Sequence, residues 1–179
     1  MSERASFEAR VSVQEADFDV GVEVDTLHGG SGQVGAIASF VGFVRDINEG
    51  AGVTAMTLEH YPGMTEKALE EIVALALERW ALLGVSVIHR FGRLEPTDRI
   101  VFVGVASAHR GEAFAACEFI MDYLKIRAPF WKCEQTPDGA RWVDARDSDD
   151  SAAARWKKDD EDQTAEADDL SWEEVERRR

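Results

Sequence analysis

Lysine is scarce in this chain: Lys67, Lys125 and Lys132 are the only ones in residues 1–146. Thirty-five acids outweigh 20 Lys and Arg, giving a net charge of −15 over 179 residues. That balance argues against nucleic acid or an anionic membrane as the main partner. No apolar run approaches the roughly 18 residues of a membrane span. The first 20 residues hold no apolar signal core either, so the cytoplasm is the expected compartment. Two cysteines, Cys117 and Cys133, form neither a metal-ligand spacing nor a disulfide framework, and both are expected to be reduced thiols. Cys117, in "AFAACEFIM", reads as core. Cys133 follows Lys132, which could lower its pKa, but no His lies in its local sequence. The chain also lacks GxGxxG, a P-loop, HExxH and CxxC, so no dinucleotide fingerprint, P-loop or structural metal is expected.

What is present suits one domain, with hydrophobic residues at 45% and a length that can bury a proper core. The charge is uneven. Residues 1–88 carry 14 acids and 5 bases, and residues 147–179 carry 13 and 6, whereas residues 89–146 carry 8 acids and 9 bases. An anionic ligand belongs in that middle block. The expected organisation is a folded domain over 1–146 and an acidic tail over 147–179. The tail has too few apolar residues to offset its ordering entropy and is expected to be disordered or loosely helical.

Within the domain, "EARVSV" (8–13) alternates like a strand. "VGAIASFVGFVRD" (34–46) reads as a long strand, and "VTAMTLEHYP" (53–62) as a second that closes a hairpin with it over a glycine-rich turn. Residues 63–84 predict a helix capped by Thr65 and ended by Gly84, with a stripe of Leu69, Ile72, Val73, Ala76, Leu77 and Trp80. Strands follow over 85–94 and 99–109, joined by "EPTD". A second helix over 111–127 is stopped by Pro129, and two short strands close the domain around "TPDG". The order β-β-β-α-β-β-α-β-β predicts an α+β fold, helices packed on a mostly antiparallel sheet.

Three clusters can carry chemistry. Arg45 ends an apolar strand before a glycine loop and either pairs with Asp46 or Glu49 or faces a ligand that Gly42 lets approach. His109 and Arg110 stand where a strand passes into a helix N-terminus, a place that favours an anion. The alternatives there are a structural histidine and an Arg110–Glu112 ion pair. Lys125 and Lys132 flank the "RAPFW" corner. Lys125 either suits the helix C-terminus, with Glu118 or Asp122 as partners, or joins Lys132 as a reactive amine whose pKa is lowered by neighbouring cations and aromatic walls. His28 and His60 have no evident partners, and His89-Arg90 reads as structural or supportive.

The stretches "GAIASFVGFVRD", "LEHYPGMTEKAL", "VIHRFGRLEPTD", "SAHRGEAFAACEFIMDYLKIRAPFWK" and "TPDGARWVDA" together resemble the catalytic (large) subunit of molybdopterin synthase over residues 34–146. The resemblance implies an α/β-hammerhead-like fold and a homodimer that becomes a heterotetramer with a small ubiquitin-like sulfur carrier ending in Gly-Gly. It implies sulfur transfer from the carrier's C-terminal thiocarboxylate to cyclic pyranopterin monophosphate, with no other cofactor. Lys125 and Lys132 match the family's active-site lysines. Arg45, His109 and Arg110 match its pterin-phosphate and anion-binding positions, and Phe40 and Met121 resemble wall residues of the pocket. The rival readings are a non-catalytic scaffold for the carrier and an unrelated phosphate-ester-binding protein.

Overall fold

The computed structural model describes residues 8–48, 51–143 and 151–156. Four strands, β1 (Glu8–Gln14), β2 (Ala36–Phe43), β6 (Leu82–Arg90) and β8 (Arg99–Ser107), form one sheet in the order β1-β6-β8-β2. Only the β1–β6 pairing is parallel. A second, wholly antiparallel sheet runs β10-β9-β5-β7, from β5 (Ala55–His60), β7 (Gly92–Leu94), β9 (Phe130–Thr136) and β10 (Gly139–Val143). The α+β class and the antiparallel bias hold, but two sheets replace the single one expected.

The hairpin between the strands over 34–46 and 53–62 does not form. A two-residue ribbon, β3 (Ile47–Asn48) with β4 (Ala51–Gly52), makes the local turn. β5 instead lies between β9 and β7. Its Met56 and Leu58 are buried with Val44 and Leu94 in a small core between the sheets. Alternation predicts a strand and one apolar face, but not which strand it will pair with.

Three long helices cover the first sheet. α2 (Met64–Arg79) and α3 (Arg110–Arg127) pack on the face carrying Val85, Val87, Val101, Val103 and Val105. The other face carries Ile88 and Phe102 and is covered by α1 (Val20–His28), an element the sequence pattern did not reveal. Its cues are short but physical: Asp19 accepts the Val22 N–H at 3.0 Å, Val20, Val24 and Leu27 share a face, and Gly29 closes the end at φ +54°.

α2 is shorter than its pattern suggested. Gly63, at φ +82°, starts it, and Glu66 Oε2 accepts the Gly63 N–H at 2.7 Å. Thr65 binds back to Tyr61 instead of capping. Gly84 lies inside β6, where a Cβ would sit 3.2 Å from Leu27 Cδ2. The glycine thus serves the close approach of α1 and not a helix end.

Residues 151–156 form a short helix, α4, which fits the helical reading of the tail but is packed on the domain and not loose. Trp156 is buried edge-on against Trp80 and Phe119, with ring centroids at 5.9 and 5.5 Å. Its indole N–H donates to Asp122 at 2.8 Å, and its carbonyl accepts from Arg79 at 3.0 Å. Arg155 pairs with Glu118 and Asp122. One tryptophan in an aromatic slot supplies the apolar area that the composition of the segment as a whole conceals. The rest of the 147–179 stretch lies outside the described residues.

Candidate functional site

A cavity of about 320 Å³ opens where the C-terminal end of α3 meets the inner face of the second sheet. Several segments build it. From β2 come Phe40 and Gly42, with Arg45 just beyond the strand end; from α3, Met121, Leu124 and Lys125; from β9, Phe130, Lys132 and Glu134; from β6, His89. Met56 and Leu58 of β5 add apolar wall.

Local geometry explains each placement. The β2–β8 register shifts between Gly42 and Phe43, so the chain bends as it leaves the sheet. A Cβ on Gly42 would lie 2.8 Å from Val101 Cγ1; the close approach that glycine permits is by this neighbouring side chain. Val44 is then held from both sides, its N–H donating to Asp98 O at 2.9 Å and its O accepting from Thr97 at 2.8 Å. Arg45 follows that clamp. At the other wall, α3 ends at Ala128, and Phe130 starts a strand whose alternation directs Phe130, Lys132 and Glu134 to one face.

The cavity is cationic. Among the described residues, Arg45, Lys125 and Lys132 face it with a single acid, Glu134, which is buried. Glu134 Oε2 accepts two hydrogen bonds from Arg141, the residue opposite it on β10, at 2.9 and 3.1 Å. Glu118 and Asp122, the acids that could have paired with Lys125, are instead bound by Arg155 of α4, at 2.6 and 2.8 Å. Glu134 escaped the sequence reading, although its i+2 spacing from Lys132 on a strand was the available signal.

His89 is buried in the wall. Its ring stacks on Phe130 with centroids 3.7 Å apart and planes at 19°. Nδ1 lies 2.9 Å from Arg90 O. Burial lowers its pKa from 6.5 to about 4, with Lys132 and His60 pushing the same way and the hydrogen bond to Arg90 opposing. Nearby, His60 packs on Phe91 at 4.4 Å, and its Nδ1 is buried with no hydrogen-bond partner among the described residues.

His109 and Arg110 do not reach this cavity. They begin α3, whereas Lys125 stands in its last turn. Fifteen residues of helix put about 22 Å between them. Both are exposed, and the Arg110 side chain forms no ion pair with Glu112, which instead accepts from Ser107 at 2.6 Å. Neither cysteine joins the site. Cys117 is core, with its thiol pushed up to about 11 by burial and by Glu118. Cys133 is buried on the face of β9 opposite Lys132. Among the described residues no group of three His, Cys, Asp or Glu side chains could hold a metal ion. No described helix is long and apolar enough to cross a membrane.

Comparison with known proteins gives one consistent picture. The family model described as "MoaE protein" matches residues 13–127. A molybdopterin synthase catalytic subunit from Ralstonia nicotianae is 66% identical over 146 residues, 82% of this chain and 83% of the relative. The solved structure of the molybdopterin biosynthesis MoaE protein from Burkholderia ambifaria superposes with a TM-score of 0.73 at 57% identity, covering 84% of this chain and 99% of that one. A complex of subunits 1 and 2 of molybdopterin-converting factor from Helicobacter pylori shares the fold, with a TM-score of 0.62 at 16% identity, over 77% of this chain and 91% of that one.

Proposed function

The chain belongs to the MoaE family, the molybdopterin synthase catalytic subunits, and from that premise we propose that its cationic cavity is the chamber in which sulfur is transferred to a pterin. It is an enzyme of molybdenum cofactor biosynthesis. The substrate in this reading is cyclic pyranopterin monophosphate. The sulfur donor is the C-terminal thiocarboxylate of a small ubiquitin-like carrier, so no other cofactor is needed. The reaction takes place in the cytoplasm.

The observation that carries the reading is the meeting of Lys125, Lys132 and Arg45, from three separate segments, around one cavity with apolar walls. A thiocarboxylate and a phosphate are both anions, and several cations converging on one cavity with apolar walls stabilise them better than a lone surface cation does. In each transfer the thiocarboxylate sulfur bonds to a substrate carbon as a carbon–oxygen bond at that carbon breaks, the oxygen leaving as water or as a phosphate oxyanion. A further water then cleaves the acyl carbon–sulfur bond. The carrier leaves as a carboxylate and the sulfur stays on the pterin. Lys125 serves as acid, base or transient acyl acceptor, and Lys132 stabilises charge and moves protons.

His109 and Arg110 fit this scheme only in trans. About 22 Å of helix is more than a pterin phosphate can bridge, so within one chain they cannot hold the phosphate of a substrate lying at Lys125. A symmetric homodimer can bring the α3 N-terminus of one copy to the cavity of the other. Each copy also binds one carrier, making a heterotetramer. The test is reconstitution: protein, thiocarboxylated carrier and substrate, assayed for the dithiolene product. Formation of product supports the enzyme, whereas carrier binding without product would support a scaffold.

A further inference from the structure

His89 is costly to bury and easy to replace in packing terms, because a phenylalanine would stack on Phe130 equally well. It is only 6% exposed, and it lines the cavity beside Lys132 and Phe130. Its tautomer follows from its one side-chain hydrogen bond among the described residues. A carbonyl oxygen can only accept, so Nδ1, 2.9 Å from Arg90 O, is the protonated nitrogen. Nε2 is therefore a bare acceptor, and no hydrogen bond to it forms among the described residues. The Phe130 stack and the Arg90 carbonyl fix the ring in plane and rotation, so the acceptor is aimed before any ligand arrives. Burial keeps the ring uncharged at neutral pH, which preserves that acceptor where a protonated imidazole would abolish it.

The cations already described answer the anionic parts of a substrate. They do nothing for its neutral, donor-rich ring system. A reduced pterin carries ring N–H and amino donors, and a preset acceptor in an apolar wall is the group that recognises one.

We propose that His89 is a substrate-binding residue, whose Nε2 accepts a hydrogen bond from an N–H donor of the pterin ring and so orients the ring against the Phe130 wall. This rests on the pterin reading of the cavity. The arrangement separates two tasks: cations hold charge, and one neutral acceptor sets which face and edge of the ring is presented to the sulfur.

Two variants test it in the full protein with its thiocarboxylated carrier. His89→Phe keeps the stack and removes the acceptor, and His89→Gln gives up the stack but restores an oxygen acceptor. Loss of one neutral hydrogen bond predicts a KM for the pterin about tenfold higher in His89→Phe. kcat should stay within about twofold, the pattern of an interaction made equally in ground and transition states. Carrier affinity should not change, and His89→Gln should recover most of the lost pterin affinity. An unchanged KM in His89→Phe, or equal impairment in the two variants, overturns the proposal. Direct titration of the pterin into the protein without carrier separates this from the sulfur-transfer reading. His89-dependent binding without turnover would sink sulfur transfer and leave His89 standing. Turnover with binding indifferent to His89 would do the reverse, and no pterin binding by the wild type would overturn both.

Discussion

The two ends of α3 carry similar charges and differ in everything around them. At the N-terminal end, His109 and Arg110 are exposed on the first helical turn with no wall about them. At the C-terminal end, Lys125 joins Lys132 and Arg45 around a cavity walled by β9 and β5. A lone cation on an open surface is screened by water and salt and holds an anion weakly. Three cations converging on one cavity reinforce one another, even though Arg45 and Lys125 are themselves exposed. Under the proposed function the second end is the reaction chamber within one chain, and the first is half of a site that a second copy completes.

The largest test of that contrast removes the better end. Lys125→Ala should lower the rate of sulfur transfer by about 10²–10³-fold, the scale of losing one preorganised charge at a reacting centre. The side chain is exposed at a helix end, so thermal unfolding should be nearly unchanged. Full turnover by the variant would remove Lys125 from the chemistry.

The next test asks what keeps the acids of α3 away from the pocket. Arg155 binds both Glu118 and Asp122, and the Trp156 indole N–H donates to Asp122 as well. Trp156→Ala should destabilise the protein by about 3 kcal/mol, in the range for a buried aromatic truncation, read by denaturant unfolding. An effect below about 0.5 kcal/mol would mean that α4 is not part of the folded unit.

How much of this was legible in the residues depends on how far apart the interacting groups lie in sequence. α3 was readable to within one residue at its start, because strand, helix face and Pro129 are all local signals. Its arithmetic was readable too: one helix with Arg110 and Lys125 at opposite ends cannot gather both around one small ligand. α4 was not readable, because its stability comes from Trp80 and Phe119, far away in sequence. The pairing of β5 with β9 was hidden for the same reason, as was the role of His89. Alternation puts His89 on a strand but says nothing of the Phe130 ring it will meet.

His89 gives a smaller effect with a defined sign. Its folded pKa, about 4, lies below its usual 6.5, so between those values the unfolded chain binds a proton that the folded one does not. Stability therefore rises with pH across that window and is lost as pH falls. The loss between pH 7 and pH 5 should be about 2 kcal/mol, measured by denaturant unfolding. His89→Phe should flatten that slope. Asp17, whose pKa is lowered chiefly by its hydrogen bond to Arg99, adds its own loss only as pH falls below its ordinary 3.8. The two contributions thus occupy separate pH ranges. A slope equally steep in His89→Phe would assign the acid sensitivity to other groups.

The smallest expected change is the sharpest test of the comparison between the two ends. Arg110→Ala should weaken pterin binding by about tenfold, the scale of one charge-assisted contact, and Lys125→Ala should be nearly inactive. If Arg110 acts on the cavity of the other copy, mixing the two variants after dissociation and reassociation should restore what neither has alone. In a mixed dimer, one cavity combines the intact Lys125 of one copy with the intact Arg110 of the other, and the second cavity lacks both. Random reassociation makes half the dimers mixed, with one good site in two, so activity at subsaturating substrate should reach about a quarter of wild type. If both residues served the same chain's cavity, every site would keep one defect and mixing would yield only the average of the parents. The result separates an incomplete site at the α3 N-terminus from a merely basic surface, because only the former can be complemented by a neighbour.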